Sequence, residues 1–219
     1  MRVTDLERRF EPVRVLQNLN LEVRRGELVA LYGPSGSGKT TLLNLIGALD
    51  RPTSGTIEIE GKEITTLSDR ARTRLRRREM GFIFQSYTLL PTYNAIENID
   101  VTLRLKNIGF FERRRRIKAA LQAVGLSAWA DHVPDELSGG QQQRIAIARA
   151  LALQPALILA DEPTSGLDTR TSRHIMHLFQ SIARQQKTTF IMVSHDPMTA
   201  EYVDTAYDLH EGRLIPRRR

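Results

Sequence analysis

Eight residues, GPSGSGKT at positions 33–40, constrain this chain more than any others. An apolar run, Leu28–Tyr32, enters them, and residues 39–48 follow with apolar side chains at helical spacing. That strand–loop–helix context is the one in which G-x-x-x-x-G-K-[ST] works as a phosphate loop. Gly33, Gly36 and Gly38 let the backbone curl until successive N–H groups face one anion, and the helix start adds partial positive charge. Lys39 can then reach the β- and γ-phosphates, and the Thr40 hydroxyl can ligate Mg²⁺. A glycine-rich turn that only caps a helix would use the same glycines. At average glycine usage, however, the full pattern arises by chance in about one chain in a hundred of this length.

Residues 156–162, ALILADE, read as a buried strand ending in two carboxylates. Ligands of α/β sheets gather at the carboxyl ends of strands, so Asp161 and Glu162 are expected beside the phosphates. Asp161 would hold Mg²⁺ directly or through water, and Glu162 would orient and deprotonate an attacking water. An Asp-Glu pair alone is most often a helix cap or surface charge; the apolar run supplies the reason to place this one at a strand tip. His195 follows a second such run, Thr189–Val193, and is within reach of the γ-phosphate region. Taken singly it reads as a turn residue, since Asp196 and Pro197 resemble a helix cap with proline at the first helical position.

Residues 137–141, LSGGQ, open a further amphipathic stretch. Ser138 and Gln141 make a capping box, which leaves Gly139 and Gly140 unexplained. Two bare positions at a helix start suit the approach of an anion. Since one nucleotide's phosphates are already enclosed by residues 33–40, this second helix end suggests closure over a nucleotide held by another molecule.

Short apolar runs alternating with helical patterns at about 94–105, 112–124, 140–152 and 170–184 argue for an α/β core. Residues 56–60, TIEIE, alternate and meet Gly61, which suggests an antiparallel edge with a turn. Residues 86–152 hold helical patterns and no convincing strand, and read as a helical subdomain inserted into a core made of residues 1–85 and 153–219.

The chain has 219 residues, 41% apolar, which supports a sizeable buried core. It has no Cys, which excludes disulfide scaffolds, thiolate zinc sites and cysteine nucleophiles. The most hydrophobic segment, 145–160, is interrupted by Arg149, Gln154 and Pro155, so no stretch reaches the roughly 18–20 apolar residues of a membrane span. The N-terminus is charged, unlike a signal peptide, and the expectation is a cytoplasmic protein whose membrane role needs a partner. The net charge of +7 comes with Arg clusters at 70–78, 113–116 and 217–219. Ala71 and Leu75 seat one helix face, and Ile117, Leu121 and Val124 another. Both inner clusters therefore read as solvated helix faces; few aromatics accompany them, so no nucleic acid is expected.

With these motifs in order, the chain resembles the ATPase subunit of an ABC transporter over nearly its whole length. The residues are GPSGSGKTT (33–41), Gln85 in GFIFQ, LSGGQ (137–141), LILADEP (157–163), SGLD (165–168), and Ser194 with His195. The resemblance implies a P-loop NTPase (RecA-like) α/β core, an antiparallel β subdomain and an inserted α-helical subdomain. It also implies a homodimer with two ATPs sandwiched head to tail. Gly33, Pro34, Ser35, Gly36, Ser37, Gly38, Lys39, Thr40 and Thr41 would hold the phosphates, and Thr40, Gln85 and Asp161 would meet Mg²⁺. Phe10 would stack on adenine, unless it is a core aromatic. Ser138, Gly139, Gly140 and Gln141 would face the opposite subunit's ATP, and Asp168 would lie in a loop crossing the interface. Glu162 would be the catalytic base, His195 the switch residue, and Gln85 the link to an integral membrane permease, with the subunit peripheral on the cytoplasmic face of the inner membrane.

Within the family, QQQRIAIARAL after LSGG resembles the lipoprotein-releasing and macrolide- or peptide-exporting group, and the related cell-division ATPase is close. TSGLD at 164–168 departs from the TGNLD usual there. An ABC-type ATPase acting on DNA or ribosomes is allowed by the charge, but the chain has neither zinc Cys pairs nor a second cassette. A regulatory module with little turnover is disfavoured by Glu162.

Overall fold

A computed structural model describes residues 1–217. In chain order, β1 (Arg2–Phe10) and β2 (Val13–Glu22) precede β3 (Leu28–Tyr32) and α1 (Lys39–Ile46). Next come β4 (Ser54–Ile59), β5 (Lys62–Glu63), α2 (Asp69–Glu79) and β6 (Met80–Ile83). Three helices follow, α3 (Ala95–Leu105), α4 (Phe110–Ala123) and α5 (Gly139–Ala152). The chain then runs through β7 (Leu157–Asp161), α6 (Thr169–Gln186), β8 (Thr189–Val193), β9 (Thr205–His210) and β10 (Arg213–Pro216).

The larger sheet has the order β10-β9-β3-β8-β7-β6, parallel except for the β9–β10 hairpin. Its central strands are apolar over Leu28–Tyr32, residues 157–160 and residues 190–193 because both faces are covered. Leu28, Ala30 and Tyr32 of β3 pack into one core with residues of α3 to α6, while Val29 and Leu31 point into a second core with α1 and the smaller sheet. β7 and β8 divide their side chains in the same way. The smaller sheet, β2-β1-β4-β5, is antiparallel. This is the P-loop α/β fold with an antiparallel β subdomain and helical segments.

Two sequence expectations change, and two strands have no counterpart among them. Residues 56–60 do turn at Gly61, but β4 lies between β1 and the two-residue β5 rather than at an edge. The long strands β1 and β2 carry no clean alternation, because register shifts interrupt their pairing and Asp5 and Asn18 take positive φ. The inner arginine clusters are not simply solvated. Arg72, 7% exposed, donates from Nε to the Ala48 carbonyl (3.0 Å) and from an Nη to the Asp50 carbonyl (2.7 Å). Arg76 also donates to Ala48 O (2.6 Å), so α2 satisfies carbonyls just beyond the end of α1. Arg113 and Arg116 are likewise held by Asp100 and Glu112. In the tail cluster, the Arg217 guanidinium lies 4.4 Å from the centre of the Tyr32 ring; Arg218 and Arg219 lie outside the described residues.

Arg72→Ala removes a buried guanidinium that donates to the Ala48 and Asp50 carbonyls, leaving Ala48 O with Arg76 alone, and is expected to cost about 1–3 kcal/mol. Arg74→Ala, at an exposed position of the same helix, should stay within about 0.5 kcal/mol. Urea unfolding of the two variants checks the difference.

Candidate functional site

β3, β8 and β7 lie side by side and in parallel, so the segments leaving their carboxyl ends emerge together. Val193 pairs with Leu31 on one side and Asp161 on the other. The Ser194 N–H donates to Leu31 O and the Glu162 N–H to Val193 O, both at 3.1 Å. These bonds fasten residues 161–162 and 194–195 next to the loop at 33–40.

That loop takes its shape from glycines in left-handed or related conformations: φ is 141° at Gly33, 78° at Gly36 and 102° at Gly38. A Cβ on Gly33 would collide with the Leu209 carbonyl, so this position admits no side chain. Gly38 is the N-cap of α1 and supplies no capping side chain, which leaves the first N–H groups of the helix free for an external acceptor. Lys39 folds back across the loop and donates from Nζ to the carbonyls of Gly33 and Pro34, each at 2.8 Å.

The Thr40 hydroxyl donates to Asp161 Oδ2 at 2.8 Å. One hydroxyl and one carboxylate in contact form a hard-oxygen pair. Such a pair fits Mg²⁺, which usually takes one or two carboxylates and completes its shell with phosphate oxygens and water. Glu162 is 9% exposed and has φ of 52°, an uncommon conformation for a residue with a Cβ. Its carboxylate lies 2.8 Å from Nδ1 of His195, whose ring is otherwise exposed. Asp196 caps the short helical turn Pro197–Glu201, as the sequence suggested, with its carboxylate accepting from the Met198 N–H.

A cavity of about 610 Å³ joins these groups. Phe10, Gly33, Ser35, Gly36, Gly38, Lys39, Thr40, Thr41, Gln85, Asp161, Glu162 and His195 line it. Pro34 and Ser37 do not; Pro34 contributes its carbonyl to Lys39, and Ser37 Oγ is buried behind the loop. Phe10 is 47% exposed at the cavity mouth with the Arg8 guanidinium 4.2 Å from its ring centre, so it is not a core aromatic. Val15 and Val193 also line the cavity and were not singled out from the sequence. Val15 lies on the irregular strand β2, where local pattern carries no signal.

Ser138, Gly139, Gly140, Gln141 and Asp168 are not in this cavity. They form a second group. Ser138 and Gln141 complete the expected capping box at the start of α5: the Ser138 N–H donates to Gln141 Oε1 (2.8 Å), and the Gln141 N–H donates to Ser138 Oγ (3.3 Å). A Cβ on Gly139 would lie 3.2 Å from Tyr87 Oη, and one on Gly140 would lie 3.4 Å from Gly166 O, which places the turn before α6 against this helix end. Tyr87 and Thr88, both with positive φ, are gripped by Arg149, which donates to both of their carbonyls (3.0 and 2.7 Å). Arg149 is legible in hindsight as the one charge inside the apolar stretch 145–152. Residues 86–99 divide between two environments: Ala95 and Ile99 are buried, Leu90 and Tyr93 exposed.

Asp168 caps α6, accepting from the Thr171 hydroxyl (2.6 Å) and N–H (3.0 Å). The hydroxyl, then the N–H, hold its carboxyl below the ordinary aspartate value. A depressed folded value means that the cap's stabilisation is present above the unfolded pKa and is lost as pH falls through the folded one. In an NMR titration Asp168 should have a midpoint below the ordinary value of about 3.9, and Thr171→Val should move it upward. An unchanged midpoint in the variant would contradict this cause.

The ABC transporter family model matches residues 16–165, and an AAA-domain model matches residues 131–200. The chain is 44% identical to the ABC transporter ATP-binding protein YknY of Bacillus subtilis, over 94% of this chain and 89% of that protein. It is also 44% identical to the lipoprotein-releasing system ATP-binding protein LolD of Pseudomonas fluorescens, over 94% and 90%. Among solved structures, the cassette MJ0796 in a dimeric post-hydrolysis state bound to ADP and Pi superposes with a TM-score of 0.94. It is 38% identical, over 99% of this chain and 97% of that one. A second dimeric MJ0796 structure gives 0.92 at 39% identity, over 97% and 95%. The family model covers more than half of the chain and the fold agrees with these structures: the chain belongs to the ABC transporter family, as one of its ATPase cassettes.

Proposed function

We propose that two copies of this chain close on two Mg·ATP, hydrolyse them and thereby drive a separate membrane permease. The observation that supports this most strongly is the division of the site residues. The phosphate loop, Asp161, Glu162 and His195 share one cavity, whereas Ser138, Gly139 and Gly140 lie outside it at a bare helix end. A head-to-tail pair brings the second group of one copy over the cavity of the other.

In this reading the loop N–H groups and Lys39 bind the β- and γ-phosphates, and Phe10 stacks on adenine at the cavity mouth. Thr40 and Asp161 would hold Mg²⁺, with Gln85 lining the same cavity, and the ion would supply positive charge against that building on the phosphates. Glu162 accepts a proton from water as the water oxygen bonds to the γ-phosphorus, and the bond from that phosphorus to the β–γ bridging oxygen breaks. His195 orients the Glu162 carboxylate through Nδ1. Asp168, on the turn packed against Gly140, lies at the interface.

The permease has a docking groove beside Gln85. It is an apolar groove of about 390 Å³ between α2, β6, α3 and α5, which Phe84, Leu49 and Leu105 help to line. Leu49 and Leu105 are 45% and 55% exposed, as suits a surface that a partner helix covers. No helix among the described residues is long and apolar enough to cross a membrane; in this reading the permease holds the cassette at the cytoplasmic face. Of lipoprotein, peptide and drug export, the likeness to LolD supports lipoprotein release, with residues 86–152 acting as the helical subdomain that carries the docking signal. A role in cell division through a membrane partner, or on DNA or ribosomes, has no comparable support.

Glu162→Gln should keep ATP binding and cut turnover by about 10²–10⁴-fold, the usual scale of general-base catalysis, while ATP-bound dimer accumulates. Near-normal hydrolysis would reject the assignment. Ser138→Arg, introduced into that variant, places bulk and charge where the neighbour's γ-phosphate would sit. It should abolish ATP-dependent dimerisation in gel filtration, and retention of the dimer would reject the sandwich.

A further inference from the structure

The turn between α3 and α4 and the first turns of α4 combine two features that the ATPase chemistry does not use. Phe110 and Phe111 stand at the start of α4 and are 55% and 86% exposed. Phe111 is the most exposed of the large apolar side chains among the described residues. Exposed aromatics of this size are costly in water and serve no packing role here: the two rings contact each other edge to face, 5.6 Å between centres. Around them, residues 100–118 carry seven basic side chains against two acidic ones, a net five of the chain's +7.

Both carboxylates of this stretch are already engaged. Asp100 receives Arg104 and Arg113, and Glu112 receives Arg115 and Arg116. These two guanidinium groups hold the Glu112 carboxyl down to about 2, so it stays ionised and paired at any physiological pH. Arg114 and Lys118 have no carboxylate partner among the described residues; the Arg114 guanidinium rests 5.7 Å from the Phe110 ring centre. The unspent charge of Arg114 therefore lies beside the exposed rings, and Lys118 follows one turn further along the same helix face.

The position of this corner adds direction. Leu105, the last residue of α3, lines the groove assigned above to the permease, and Lys106 and Arg116 both donate to the Leu153 carbonyl at the rim of that groove. If a membrane-embedded permease fills the groove, the corner is carried to the level of the bilayer surface alongside it.

We propose that Phe110, Phe111, Arg114 and Lys118 form an interfacial contact with anionic lipid headgroups, which orients the cassette beside its permease. Aromatic rings inserted at the headgroup level, with unpaired cations around them, are the combination that binds such a surface. Its placement rests on the permease reading, but lipid contact is measured without the permease.

The test is flotation of the full chain with phosphatidylcholine vesicles, with and without phosphatidylglycerol. Wild-type protein should float with the anionic vesicles, and partition about tenfold less well into neutral ones. The pair Phe110→Ser and Phe111→Ser, and separately the pair Arg114→Glu and Lys118→Glu, should each weaken anionic binding about tenfold. Basal ATP hydrolysis should be unchanged, which reports an intact fold. Arg70→Glu with Arg74→Glu, on exposed positions of α2 outside that groove, is the control for net charge and should float like wild type. Failure of the wild type to float, or equal loss in the control pair, overturns the proposal. So does full vesicle binding by the corner variants, including the case in which they lose the permease in detergent, which would assign the corner to a protein partner. Absence of any permease response in the wild-type ATPase would instead reject the transport reading and leave the flotation result intact.

Discussion

The parallel pairing of β3 with β8 and of β8 with β7 is the constraint on which the rest of the molecule depends. Parallel neighbours end on the same side of a sheet, so the residues after Tyr32, Asp161 and Val193 have to meet. None of the three segments holds a nucleotide site alone. The loop offers N–H groups and one cation, β7 offers carboxylates, and β8 brings a histidine. Strand pairing, with the two 3.1 Å bonds from Ser194 and Glu162, sets their separations.

Around this meeting point, polar side chains hold backbone in conformations that it would not keep unaided. Glu162 sits at positive φ in the turn 162–165, and the buried Gln143 of α5 donates to the Pro163 carbonyl at 2.9 Å in the middle of it. Arg149, on the same helix two turns further on, grips Tyr87 and Thr88. One helix thus touches the carboxylate turn, the segment after Gln85 and, through its first residues, the turn before Asp168. In a packed interior such contacts switch between discrete arrangements rather than deform smoothly. That gives a physical route by which closure at the proposed interface and a signal at the proposed permease groove become coupled.

Much of the site was legible because its chemistry is local. GPSGSGKT needs its glycines within six residues of one another, and an apolar run ending in Asp161 and Glu162 can be read without knowing what lies beside it. The helices α3, α5 and α6 were recognisable from their apolar stripes, within a few residues at their ends. β1 and β2 were not, because bulges break the period that would announce them. Arg72 and Arg76 look solvated in the sequence, since four more arginines in residues 70–78 conceal the two that turn inward. Whether Phe10 was core or surface depended on what packs against it, which sequence spacing does not contain.

The sequence by itself determined which groups are on offer for the proposed chemistry: a glycine-rich loop with its lysine, a hydroxyl at the start of the helix that follows, two adjacent carboxylates after an apolar run, and a second glycine-opened helix start, each specified within a few neighbouring residues. Only the tertiary structure decided how these are distributed, with the first three sharing one cavity and the last outside it. The physical reason is range. Backbone curl, capping and amphipathic spacing act between residues close along the chain, whereas strand order and burial come from pairing β3 with strands more than a hundred residues away.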